Sequence, residues 1–212
     1  MISIQKSTDA GAYYCGHIFF AADQYCRANQ IALDQFGTPR VGFLHIPRDE
    51  ACVNGKHDFQ DFAKVLLRGL RRLPLGYRVL LTGFGPFGDV ASNPTGALFS
   101  RSEELLALLR PVFARARALP SSDGVVIDTG TNLLTFVTLP VDDRALDPSD
   151  AQSITAHIKR LRPDFVWMNG VGKAGFAVET QLDDRGLSAC AHDESPATMT
   201  RENLTLWRLL CP

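Results

Sequence analysis

A thiol, an imidazole and a carboxylate, the three group types used in nucleophilic hydrolysis, fall at three separate places in this chain where a fold could bring them together. Cys15 lies in "DAGAYYCGHIFF" (Asp9–Phe20), after a short strand pattern and at the opening of a helical one. The free N–H groups of a helix N-terminus favour a thiolate. His45 stands near the end of the apolar run "VGFLHIP" (Val41–Pro47), and Glu179 comes near the end of "DFVWMNGVGKAGFAVET" (Asp164–Thr180). A fourth segment, "RVLLTGFGPFG" (Arg78–Gly88), closes a strand pattern with a Gly-rich loop holding Phe84 and Phe87. In open α/β sheets functional groups gather beyond the carboxyl ends of strands, which is where these residues are expected. Singly, each has an ordinary reading. Cys15 fits a silent core thiol, His45 a hydrogen-bonded strand end and Glu179 a solvated residue of an alternating strand. The "GFGPFG" loop lacks the Lys-Ser/Thr of a phosphate loop and the G-x-G-x-x-G spacing.

The elements that must position these groups follow from periodicity. The chain has 212 residues, 45% apolar and 21% charged, which suits one domain with a substantial core. Lys plus Arg number 22 and Asp plus Glu 23, a formal charge of -1, which gives no support to nucleic acid or an anionic membrane as partner. The five cysteines, Cys15, Cys26, Cys52, Cys190 and Cys211, are an odd, scattered set without zinc spacing. No apolar run is long enough to span a bilayer, and "MISIQKSTDAG" lacks a signal-peptide pattern. The expectation is a cytoplasmic protein with reduced thiols and no metal or cofactor.

Apolar β-rich runs alternate with helical patterns, predicting an α/β fold with a mixed, mainly parallel sheet covered by helices. Strands are expected at Ile2–Gln5, Val41–Ile46, Arg78–Phe84, Asp164–Gly172 and Phe176–Leu182. A hairpin about "SSDG" (Ser121–Gly124) is expected within Val112–Val141. Helices are expected at Gly16–Asn29, Asp58–Arg72, from an Asn93 cap with Pro94 to about Leu109, from a Ser149/Gln152 capping box to about Leu161, and at Thr200–Leu210. "LPLG" (Leu73–Gly76) breaks the chain before the Arg78 strand.

In combination the segments carry a resemblance. "LLTGFGPFGDVASNPTGAL" (Leu80–Leu98) resembles the N-terminal signature of the pyroglutamyl peptidase I family, the pyrrolidone-carboxylate peptidases. "STDAGAYYCGHIFF" (Ser7–Phe20) is similar to its nucleophile segment and "GFLHIP" (Gly42–Pro47) to its catalytic-histidine segment. "LRPDFVWMNGVGKAGFAVET" (Leu161–Thr180) is similar, more distantly, to its carboxylate segment. The order differs from the family's, in which the GF-PFG segment comes first and the Cys and His segments last. The chain therefore looks like a circular permutant: 1–73 matches the family's C-terminal part, 74–77 is the junction and 78–212 matches its N-terminal part.

The resemblance implies a single-domain, phosphorylase/hydrolase-like α/β/α sandwich and a thiol omega-peptidase that removes N-terminal pyroglutamyl (5-oxoprolyl) residues from peptides. It implies Cys15 as nucleophile, His45 as general base and Glu179 as its orienting carboxylate. Phe84, Phe87, Tyr13 and Tyr14 match the apolar pocket around the pyrrolidone ring, and Asn93 matches the Asn-Pro signature. It also implies a peptide substrate with a blocked N-terminus and a homo-oligomer, dimer or tetramer. "GVGKAGF" (Gly170–Phe176) is shorter than the family's turn and lacks its arginine, and Val171 stands where a side-chain amide often meets the substrate. Asp183 and Glu194 are alternative carboxylates. Two other readings are a non-catalytic relative that binds peptide N-termini or another small ligand, and a phosphate-binding module built on "GFGPFG".

Overall fold

A computed structural model of the chain describes residues 2–8, 14–47, 60–87, 93–172, 175–183 and 200–211. Ten strands and six helices are described: β1 (Ile4–Ser7), α1 (Tyr14–Asn29), β2 (Val41–Ile46), α2 (Gln60–Leu70), β3 (Arg78–Phe84), α3 (Pro94–Phe99), α4 (Ser102–Leu109), β4 (Arg117–Leu119), β5 (Val125–Asp128), β6 (Leu133–Leu139), α5 (Ile154–Leu161), β7 (Phe165–Val171), β8 (Phe176–Glu179), β9 (Gln181–Asp183), β10 (Thr200–Glu202) and α6 (Thr205–Leu210). Eight strands form one sheet in the order β1-β8-β2-β7-β3-β6-β5-β4, and β9 and β10 form a separate antiparallel pair. The central strands β2, β7, β3 and β6 are mutually parallel. Antiparallel strands flank them on both sides: β8 is antiparallel to β2 and parallel to β1, and β5 is antiparallel to β6 and to β4.

The central strands read as continuous apolar runs because both faces are covered. One face packs on α2, α3, α4 and α6 through residues such as Leu44, Leu66, Leu81, Phe99 and Trp167. The other packs on α1 and α5 through Ile18, Phe19, Phe43, Leu80, Val166, Met168 and Ile158. Among the described residues no helix is long and apolar enough to cross a membrane.

The α/β class and the central strands follow the sequence reading, and several boundaries differ from it. The expected helix from Asn93 to Leu109 is two helices. Ser100 closes α3, its hydroxyl donating to Ala97 O at 3.1 Å, and Arg101 is extended before α4 begins. Ser149 does not cap α5. Its N–H and hydroxyl both donate to Asp147 Oδ1 at 2.8 Å, and the N–H of Gln152 donates to Asp150 Oδ1, so that stretch forms Asx turns. The cap is Ser153, which accepts from the N–H of Ala156. The expected strand Phe176–Leu182 is interrupted at Thr180, and the expected helix Thr200–Leu210 is a short strand followed by α6. Residues 58 and 59 of the expected second helix lie outside the described residues. β1 runs Ile4–Ser7, later than the expected Ile2–Gln5.

Candidate functional site

α1 forms because Ile18, Phe19, Ala22 and Cys26 give it a buried stripe, each at most 1% exposed. That stripe lays the helix on the sheet and leaves Cys15 in its first turn, half-buried against the α1/α5 layer. Free N–H groups of a first turn favour negative charge at that place.

β2 supplies the imidazole. Side chains alternate along a strand, so His45 and Phe43 share the face that looks onto α1. β8 supplies the carboxylate through its antiparallel register, Phe43 opposite Glu179 and His45 opposite Ala177. Glu179 is thus the diagonal neighbour of His45 on one face, within reach of a long side chain. His45 Nδ1 lies 2.8 Å from Glu179 Oε1, with the carboxylate side chain fully buried and the imidazole 14% exposed. The His45 contact is a close ion pair rather than an aligned hydrogen bond, and neither carboxylate oxygen has a hydrogen-bond partner among the described residues.

Cys15 also lies close enough to act on the imidazole, its thiol favouring the charged ring. With Nδ1 committed to Glu179, Nε2 is the nitrogen left for the thiol. Burial is the largest single influence on His45 and pushes its pKa down. The polar contacts with Cys15 and Glu179 and the charges of both groups outweigh it, and the ring titrates at about 9. The arrangement joins a thiol, an imidazole and a buried carboxylate from residues 15, 45 and 179.

The ring is held by apolar surroundings. Phe43 meets His45 edge-on, with centroids 4.9 Å apart and planes at 72°. Phe84 and Phe19 pack on Phe43 at 6.0 and 6.1 Å. Two glycines make this possible. A Cβ on Gly170 would come 2.8 Å from Phe43 Cζ, and one on Gly172 would come 2.8 Å from His45 Cβ. Phe43, Gly170 and Gly172 were not singled out as site residues from sequence. The i−2 spacing of Phe43 from His45 on one strand was the available signal.

The other expected site residues divide. Phe84 is buried in the aromatic cluster beside His45, and Phe87 is half-buried beyond the end of β3. Asn93 is 3% exposed. Its Oδ1 accepts from Thr95 N at 3.2 Å and Thr95 Oγ1 at 2.8 Å, while Thr95 Oγ1 accepts from the N–H of Phe84 at 3.1 Å. Asn93 thus caps α3 and pins the end of β3. Val171 packs in the layer of α2 and α6, on the sheet face away from Cys15. Tyr14 is in the first turn of α1. Tyr13 and Glu194 lie outside the described residues, and Asp183 pairs with Thr200 in the β9/β10 ladder.

A groove of about 560 Å³, lined by residues including Ile2, Pro47, Lys64 and Phe176, opens on the α2 side of the sheet, away from the Cys15–His45–Glu179 cluster. Its lining also holds Ser3 and Asp61, and Lys64 pairs with Asp61 at 2.6 Å. Among the described residues no group of three or more His, Cys, Asp or Glu is arranged to hold a metal ion. Comparison of the chain with known protein families, with curated proteins and with solved structures returned no match.

Proposed function

We propose that the protein is a cysteine peptidase of the pyroglutamyl-peptidase type, which removes N-terminal pyroglutamyl residues from peptides. The observation that carries this reading is His45 held between Cys15 and the buried Glu179, its Nδ1 2.8 Å from the carboxylate. Cys15 Sγ attacks the carbonyl carbon of the pyroglutamyl–peptide bond, and the C–N bond breaks to leave a thioester. His45 carries the thiol's proton to the departing amine. It then takes a proton from water, whose oxygen attacks the thioester and frees the thiol. Glu179 fixes the tautomer and compensates the imidazolium. The N–H groups at the start of α1 are suited to the oxyanion. The apolar Phe43–Phe84 surroundings suit a small neutral lactam.

In this reading the chain is a circular permutant of the family's α/β/α sandwich, and it works as a cytoplasmic homo-oligomer. Lys6 Nζ, on β1, lies 5.3 Å from the centre of the Trp207 ring on α6, so the first strand and the last helix are neighbours. Such neighbours tolerate being joined in one order or the other.

The test is hydrolysis of a pyroglutamyl-aminoacyl dye by the wild type and by Cys15→Ala. Turnover is expected in the first and a loss of more than about 10³-fold in the second, as when a nucleophile is removed. Equal turnover by both would sink the assignment. A second reading, a relative that binds blocked N-termini without cleaving them, is favoured by Val171, which turns into the opposite layer and offers no amide. It predicts saturable binding of a pyroglutamyl peptide with no release of dye.

A further inference from the structure

Asn203 was not singled out from sequence, yet its atoms reach all three chain segments that carry the cluster. Its side chain is 3% exposed. Nδ2 donates to Asp23 Oδ1 at 3.3 Å, on α1 two turns beyond Cys15. The same Nδ2 donates to Pro39 O at 3.1 Å, two residues before the strand that carries His45. The backbone N–H of Asn203 donates to Thr180 O at 2.8 Å, on the residue that follows Glu179. Oδ1 accepts from the N–H of Thr205 and so opens α6.

The partners are themselves fixed. Asp23 is fully buried, with Arg201 Nη2 at 3.1 Å and Arg27 Nη2 at 3.6 Å. Thr180 donates from both its N–H and its Oγ1 to Ser7 O, at 2.8 and 2.9 Å. A buried side chain whose donors and acceptor are all used is rigid, because each lost contact leaves a desolvated polar group.

We infer that Asn203 is a positioning residue: with Thr180 it locks the helix of the thiol, the strand of the imidazole and the strand of the carboxylate into one frame. The inference rests on the proposed Cys15–His45–Glu179 chemistry. Asn203 touches none of the reacting atoms. It acts by keeping Cys15 within reach of His45 while Glu179 holds the other side of the ring. Small displacements at this range are costly, since an error of about 1 Å can lower a rate about a hundredfold.

The experiment measures carbamidomethylation of Cys15 by iodoacetamide at pH 7, with kcat and KM on the pyroglutamyl dye and the melting temperature of each variant. Asn203→Ala removes two side-chain donations and is expected to slow alkylation and lower kcat by about tenfold or more, with KM within about twofold. Thr180→Val, which keeps the shape and loses one hydroxyl, is expected to lower both about fivefold, and Thr180→Ser to restore them. Ser153→Ala, which removes the α5 cap in the same layer, serves as the control: it lowers the melting temperature and leaves the alkylation rate unchanged. If Asn203→Ala does not fold, the Thr180 pair decides. Folded Asn203→Ala and Thr180→Val proteins with wild-type alkylation rate and kcat overturn the inference while leaving the proposed peptidase standing. A wild type whose Cys15 alkylates no faster than a free thiol overturns both.

Discussion

In the proposed mechanism His45 is the residue on which the chemistry turns, and its environment gives its protonation a direction. Its pKa lies above the ordinary 6.5, at about 9, because Cys15 and Glu179 together outweigh burial. A raised histidine pKa contributes stability that is fully present below pH about 6.5 and lost as pH climbs through about 9. The stability gap between wild type and His45→Gln, measured from urea midpoints, is therefore expected to narrow from pH 6.5 to 9.5. A gap that is flat over that window would mean the ring is not held as an imidazolium. Gly172 makes a second point at this scale. A methyl there would sit 2.8 Å from His45 Cβ, so Gly172→Ala must push the ring from Cys15 or from Glu179. Hydrolysis of the dye is expected to fall between about tenfold and a hundredfold, with the fold retained.

At the scale of elements, α5 carries a histidine of the opposite kind. His157 is pushed down to about 4, first by burial and then by the charge of Arg160, with Asp123 opposing. Its ring Nδ1 lies 2.8 Å from Arg160 Nη2. A depressed histidine pKa contributes stability that is present above pH about 6.5 and fades as pH falls toward about 4, since the unfolded chain binds the proton first. Relative to His157→Gln, the wild type is expected to lose stability between pH 6.5 and 4.5 in urea titrations, and parallel curves would refute this. The elements also show what was legible in the sequence. β2 and β3 could be bounded from their continuous apolar runs, and Cys15, His45 and Glu179 from residue type at strand and helix ends. The helix break at Ser100, the true cap at Ser153 and the interruption at Thr180 depend on which side chain captures which backbone group, and local pattern does not decide that. Asn203 hid for a related reason: its value lies in Asp23, Pro39 and Thr180, all distant in sequence. Asp23 left one trace, a lone charge in the apolar stripe of α1.

Over the whole molecule, the sheet draws the two halves of the chain into alternation. β8 and β7, from the last quarter, flank β2, from the first. The loop before β3 is exposed at Leu75, which is 79% accessible. If the order of segments is a permutation, a chain opened at Leu75, with α6 joined to β1 by a short linker, is expected to fold with the same dye hydrolysis and a melting temperature within a few degrees. An insoluble or inactive product would argue that the present order is required. The hydrogen bond from Thr180 Oγ1 to Ser7 O spans 173 positions of sequence, and Asn203 adds ties made from still farther along. Contacts this distant carry a large loop-closure cost. During synthesis Cys15 and His45 leave the ribosome long before Glu179 and Asn203 exist. If Cys15 is the proposed nucleophile, the chain meets the groups that would activate it only once the sheet that contains them is complete.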